Sequence, residues 1–373
     1  MRWDGKRAES VTCRLVEMPS EANGWAAGLV GPEEPMFTGG SIEWSDSAAL
    51  GASGSLSYTG GGRPDTLRMV RISYAATDES GGSEEAVLGT FVMEADDPSC
   101  DMGRVDGSVR LLSVLHIAAS KLFPRPYVIG RGCNCVERAA GLLRSLHIPV
   151  AAAWSGRLLR QDVVMEAGES YLDAVNRLLA AAGFAPCAPD AYGGALMRPA
   201  QTGSEPVWTF RTDASSVVEP KAVCHDGLSG APNAVHLTWE GDGVSCWASA
   251  VNDDPLSPSS VRNVGFESGV HERADDPEGA TAAEVLESVK AQAAERLAAA
   301  CSGYSTCQVS HPWVPVSVGD PVRVIYPQAG IDFAGCVSAM AAKWGSESHV
   351  TVATTVGRRV AATFSPTVRG GVL

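Results

Sequence analysis

Long hydrophobic runs are missing from this sequence. No stretch approaches the roughly 20 uninterrupted apolar residues of a membrane helix, so no helical membrane span is expected. The opening residues, Met1-Arg2-Trp3-Asp4-Gly5-Lys6-Arg7, lead into polar sequence rather than an apolar core, and no secretory signal is expected. Basic residues are in deficit: 29 Lys and Arg stand against 43 Asp and Glu, a net charge of −14. A protein that binds nucleic acid by neutralising phosphates needs the opposite balance, so general affinity for DNA is not expected.

Catalytic signatures are lacking too. There is no H-E-x-x-H, no pair of histidines four apart on one helical face, and no G-x-S-x-G elbow. Gly60-Gly61-Gly62-Arg63-Pro64-Asp65 is glycine-rich, but the Gly-Lys-Ser/Thr of a phosphate loop does not follow; it reads as a turn between strands. Ten cysteines are present but scattered, and a disulfide framework belongs to short secreted chains. Cys133-Asn134-Cys135 has no second pair at ligand spacing and reads as two small residues at a helix start. Cys224-His225-Asp226 has the residue types of a triad. Adjacent residues on an extended chain point in alternate directions, so it reads as a loop or strand edge. No catalytic residue, metal ligand or cofactor is expected.

What is present is material for a core. At 373 residues and 45% apolar, the chain is too apolar for disorder and long enough for two or more domains. Residues 9–100 carry short β-prone runs: Val11–Val16, Gly54–Tyr58, Leu67–Tyr74 with one slip in phase that fits a bulge, and Ala86–Met93. Ser45–Leu50 fits a short helical turn. Val109, Leu112, Leu115 and Ala119 fall at helical spacing and predict a helix over 108–122. Val136, Ala139, Ala140, Leu143 and Leu146 predict a second, ended by Pro149. Leu172, Val175, Leu178, Leu179 and Ala182 predict a third, stopped by Gly183. Strands return at Val207–Phe210 and Ala234–Trp239. Thr281-Ala282-Ala283-Glu284 is a capping box opening a helix to about Ala300, and strands follow at 304–309, 320–326, 333–340 and 349–356. The residues after Arg358 read as an irregular tail.

The fold class is therefore α+β: two β-barrel-like domains flank a helical connector, with one helix inserted in the second β domain. The expected domains are 1–104, a first β-barrel-like domain; 105–200, a helical connector with a hairpin; 201–360, a second β-barrel-like domain with its helix near 281–301; and 361–373, a flexible tail. Glu169 and Asp173 suit a helix N-terminus, and Asp320 suits a Gly-Asp turn. Trp208 and Trp239 suit core or interface packing.

Three segments resemble the hub proteins of bacteriophage tails. The first is the helix Gly168–Phe184 followed by the hairpin Pro189–Pro199. The second is Pro232-Asn233-Ala234-Val235-His236-Leu237 with the later Asn252-Asp253-Asp254-Pro255-Leu256-Ser257-Pro258. The third is Val316-Ser317-Val318-Gly319-Asp320-Pro321-Val322-Arg323-Val324. The resemblance spans roughly residues 10–357 and includes Leu88-Gly89-Thr90-Phe91-Val92. It implies a non-enzymatic virion protein at the tail tip, assembled in the host cytoplasm. The implied assembly is a homotrimer with two tail-tube-like barrels per chain, which joins the sixfold tube to the threefold tip. Its implied partners are the distal tail or tail tube ring, the tape measure protein and a tip spike or fibre; no membrane is involved, and DNA is transient cargo in the channel. Many such hubs carry a peptidase or lysozyme module after the barrels, and the residues after the last strand leave no room for one. A receptor- or carbohydrate-binding β module and, behind it, a wall hydrolase are the competing readings.

Overall fold

The computed structural model describes all residues except 1, 2, 4, 20–29, 96–97, 200–204, 213–217, 220, 226–231, 242, 258, 275–276, 278–280, 302, 346–349, 361–365 and 373. They form two compact units: Met1–Lys221 with Val309–Thr355, and Ala222–Gln308 with Val356–Leu373. The expected segments 1–104 and 105–200 thus share one unit, which residues 309–355 complete.

In chain order the first unit begins with β1 (Arg7–Val16), β2 (Val30–Glu33), β3 (Phe37–Ser45), β4 (Ala52–Gly60), β5 (Met69–Asp78), β6 (Ser83–Ala95), β7 (Ser99–Asp101) and β8 (Arg104–Ser113). They hydrogen-bond in the order β3-β4-β8-β6-β5-β1-β2. β5 lies between β1 and β6 and is buried along nearly its whole length, which explains its dense apolar run. The phase slip read from the sequence is a register break: Ile72 pairs with Gly89, then Ser73 with Val87, leaving Leu88 as the extra residue on β6. The Phe91 ring lies over Gly89, where a Cβ would come within 2.4 Å of it, so only glycine fits there.

The helix expected over 108–122 is corrected. Residues up to Ser113 belong to β8, and only α1 (Leu115–Ser120) is helical. Val109, Leu111 and Ser113 are buried with Arg110 exposed between them, so the segment satisfies a two-residue period as well as the three-residue one. Pairing of β8 with both β4 and β6 decides for the strand. Ser45–Leu50 forms the end of β3, bends and a turn rather than a helical turn.

The connector follows as β9 (Tyr127–Ile129), α2 (Cys135–Arg144), β10 (Val150–Ala152), β11 (Val163–Met165), α3 (Tyr171–Ala182), β12 (Ala188–Pro189) and β13 (Ala195–Met197). Leu115, Val136, Leu143, Val175 and Leu178 are among its core residues. α3 starts where Ser170 accepts the Asp173 N–H at 3.1 Å while Asp173 takes the Ser170 N–H at 3.0 Å, and it stops at Gly183 with φ +74°. Ser170→Ala removes half of this reciprocal cap and is expected to cost about 1 kcal/mol, measured as faster amide exchange in the first turn of α3; unchanged exchange there would count against it.

The chain continues through β14 (Trp208–Arg211), then enters the second unit with β15 (Ala222–His225), β16 (Ala234–Gly241), β17 (Val244–Val251), α4 (Val261–Val264), β18 (Gly269–Arg273), α5 (Ala282–Cys301) and β19 (Gly303–Pro312). It closes with β20 (Pro321–Tyr326), β21 (Ile331–Trp344), β22 (Thr351–Val360) and β23 (Thr367–Val372). In the first unit β14 runs parallel to β20, β20 antiparallel to β21, and β21 antiparallel to β3, so the late strands extend the early sheet.

The second unit is built on the four-stranded sheet β18-β16-β17-β23. Val285, Val289, Ala293 and Leu297 of α5 bury against Val235, Leu237, Cys246 and Ala248. The helix starts at the expected box: the Thr281 N–H meets Glu284 Oε2 at 3.0 Å and the Glu284 N–H meets Thr281 Oγ1 at 3.3 Å. The tail expected to be irregular instead supplies β23, antiparallel to β17 from Val251↔Thr367 to Cys246↔Val372. Its glycines explain the misreading: Gly370 packs so close to the Trp247 carbonyl that a Cβ would sit 2.7 Å from it. The fold is thus β-rich α+β, the principal sheet follows an open strand order among the described residues, and no described helix is long and apolar enough to cross a membrane.

Candidate functional site

The residues that looked chemical in the sequence are occupied with structure. Asn134 caps α2 by accepting the Glu137 N–H at 3.0 Å, which places Cys135 buried at the first helical position and Cys133 half-buried before it. Cys224 is joined to Cys307 across 83 residues, so its sulfur is not a free nucleophile. That pairing was not legible in the sequence, because only the β15–β19 neighbourhood brings the two together. His225 is exposed beside it, and Asp226 lies outside the described residues. Among the described residues no three His, Cys, Asp or Glu side chains converge as a metal site.

The largest buried polar constellation joins the start of the first unit to its late segment. Glu9 Oε1 receives Arg7 Nε at 2.6 Å and the Tyr74 hydroxyl at 2.8 Å, and Glu9 Oε2 receives the Val350 N–H at 2.8 Å. Arg7 also donates to the Trp313 carbonyl at 2.6 Å. Both charged side chains are almost fully buried, at 4% and 3% exposure. Burial, then the bond to Glu9, pushes the Tyr74 hydroxyl well above the usual tyrosine range. Trp313 packs on Tyr74 at 4.8 Å between ring centroids. Nearby, His311 is buried against Phe210. A carbonyl only accepts, so Nδ1–H donates to the Pro312 oxygen at 2.7 Å, and Nε2 then accepts the Thr354 hydroxyl at 2.8 Å. Burial pushes this imidazole down to about 4.

A cavity of about 440 Å³ opens in the first unit between the sheet and the β12–β13 hairpin, with Trp44, Asp46, Thr90, Phe91, Arg198 and Asp320 among its walls. Burial raises the Asp46 carboxyl above its ordinary range. The other polar groups are spent on joining the hairpin to the sheet. Arg71 Nε donates to Thr90 Oγ1 at 3.1 Å, and Thr90 donates to the Ala191 carbonyl at 3.0 Å. Arg198 donates to the Val318 carbonyl at 2.6 Å. The hairpin turn is held by Asp190, which accepts the N–H groups of Tyr192 and Gly194. This arrangement offers no nucleophile with an adjacent base; what it does physically is hold the connector rigidly on the sheet.

The segments behind the family resemblance also prove to be joints. Asp320 accepts the Ser317 N–H at 2.8 Å, and Gly319 at φ +93° makes the turn into β20, as the Gly-Asp reading expected. Asn233 bridges to Phe266 and Ser268. Asn252, fully buried, donates to Ser257 Oγ at 2.8 Å and Ser259 Oγ at 3.2 Å, and Asp253 holds the Thr367 hydroxyl at the start of β23. Asn252→Leu leaves these buried hydroxyls without that donor and is expected to cost about 1–3 kcal/mol, checked by urea unfolding; an unchanged midpoint would contradict the keystone role. Trp239 lies in the core of the second unit, and Trp208 is half-buried on β14.

No protein-family model and no curated protein matches the sequence. Solved structures do match in fold. A tail protein from Neisseria meningitidis MC58 superposes with a TM-score of 0.64 at 14% identity, covering 94% of this chain and 97% of that one. The 43 kDa tail protein of prophage MuSo2 from Shewanella oneidensis gives 0.62 at 13% identity, over 93% and 97%. The Francisella PdpA-VgrG complex in its half-lidded form gives 0.58 at 6% identity, over 96% of this chain and 59% of that one. The chain therefore has the fold of phage tail proteins, in keeping with the resemblance to tail hubs, and shares it with a VgrG complex.

Proposed function

We propose that this chain is a structural component of a phage-type tail, the hub that joins the sixfold tube to the threefold tip. The observation that carries this reading is the end-to-end correspondence with the Neisseria tail protein, which leaves almost none of either chain unmatched. The buried constellations support it, because each joins one segment to another and none prepares a reactive group. In this reading three chains form a ring, and each supplies two tail-tube-like β units, so that six similar units face the tube. Ring closure pairs sheet edges that would otherwise be free to aggregate.

The tube ring and tape measure protein contact the hub on one side and a spike or fibre on the other, and the protein resides in the virion tail. The charge of −14 serves the channel: acidic walls repel phosphates, so DNA crosses without being held. Immunogold labelling of intact particles with antibody to this chain tests the assignment. Gold at the distal end of the tail is expected; gold along the shaft or on the head would overturn it.

A further inference from the structure

The acidity of this chain is not spread evenly. Residues 107–161 hold eight basic side chains and a single acid, Glu137, while the remainder holds 21 basic and 42 acidic. Within that run Arg131, Arg157 and Arg160 line one open cleft of about 600 Å³ with Gly156 and Leu158. The cleft is framed by backbone pairing of the two segments, the Gly132 N–H to the Leu159 carbonyl at 2.8 Å and the Leu159 N–H to the Cys133 carbonyl at 2.9 Å. All three arginines are exposed, and their guanidinium groups meet no carboxylate among the described residues. The nearest acid in the sequence, Asp162, takes the Arg131 backbone N–H at 2.7 Å instead.

The rim is apolar. Leu158 is 57% exposed, and Trp154 is 90% exposed with its ring set against Gly156.

We propose that this cleft docks an acidic protein segment that also carries apolar side chains. Three like charges in one cleft repel one another, and carboxylates relieve that repulsion with bidentate pairing to guanidinium. Tryptophan and arginine at the centre of a contact are the residues that most often dominate protein–protein affinity. A nucleic acid fits less well. A duplex carries a charge at about every 1.7 Å along its axis and must be followed over a long basic track, whereas this cluster is short and lies in a chain that is acidic elsewhere. The proposal stands apart from the tail assignment, since it rests only on this cleft and its charge.

The test is fluorescence anisotropy on the full chain with four labelled probes: a short peptide alternating glutamate and leucine, the same peptide with serine for leucine, the same with lysine for glutamate, and a short DNA duplex. The glutamate-leucine peptide is expected to bind at least about tenfold tighter than the others. The triple variant Arg131→Gln, Arg157→Gln, Arg160→Gln and the single variant Trp154→Ser should each weaken it by about tenfold or more, with unchanged melting temperature. Tightest binding of the duplex, or peptide binding insensitive to both variants, would overturn the proposal. So would a triple variant that dissociates an oligomer formed by the wild type, because the cleft would then belong to a second copy of this chain.

Discussion

Replacing Glu9 by glutamine is expected to lower the unfolding free energy by about 3–5 kcal/mol. The carboxylate receives three donors from three distant parts of the first unit: Arg7, Tyr74 and the Val350 backbone. Glutamine keeps an oxygen for Tyr74 or Val350 but removes the charge opposite Arg7. The guanidinium then stays buried without its partner, and Nη1 of Arg7 already has no acceptor among the described residues. Removing one member of a buried ion pair costs far more than the pair contributes, because the orphaned charge carries its full desolvation penalty. Replacing both, as Arg7→Met with Glu9→Leu, is therefore expected to recover part of the loss. Urea unfolding at neutral pH, followed through tryptophan emission, checks both. The exposed pair Arg323–Asp332 is the control, and Asp332→Asn should leave the midpoint nearly unchanged. A Glu9 variant as silent as that control would refute the structural role of the buried pair.

Acid is expected to destabilise the first unit through His311. The unfolded chain takes up a proton on this imidazole as pH falls through about 6.5, while the folded chain resists until about 4. The unfolded state binds more protons in that window. The stability is therefore full above pH 6.5 and is lost progressively as pH falls towards 4, by an amount on the order of 3 kcal/mol. The geometry explains the resistance: Nδ1–H is committed to the Pro312 carbonyl, and Nε2 must stay unprotonated to accept the Thr354 hydroxyl. His311→Gln does not titrate in this window, so its stability-versus-pH curve should be flatter between pH 6.5 and 4 than that of the wild type. Parallel curves for the two proteins would show that other groups carry the acid sensitivity.

Much of the fold was legible because one period dominates each segment. α3 and α5 have apolar stripes, caps and stops that agree, and the structure places both where the pattern put them. β8 was lost because Val109, Leu112 and Leu115 also match a helical spacing, and only pairing with β4 and β6 decides between the two. β23 was lost because glycines in a close-packed edge look like glycines in a free tail. The Cys224–Cys307 bond and the Arg7–Glu9–Trp313 constellation were invisible for a different reason. Their members are far apart in sequence, and no local rule pairs them. The basic cleft lay between these cases: its charge bias is written in residues 107–161, but the convergence of Arg131 with Arg157 and Arg160 needed the fold.

The central claim is a hub assembled from this chain, and imaging purified full-length protein by electron microscopy at assembling concentrations tests it most directly. The account predicts threefold rings, with six similar β units surrounding an open channel whose walls are acidic. Particles that remain single chains at every concentration, including in the presence of the tail tube ring, or closed assemblies without a channel, would contradict it.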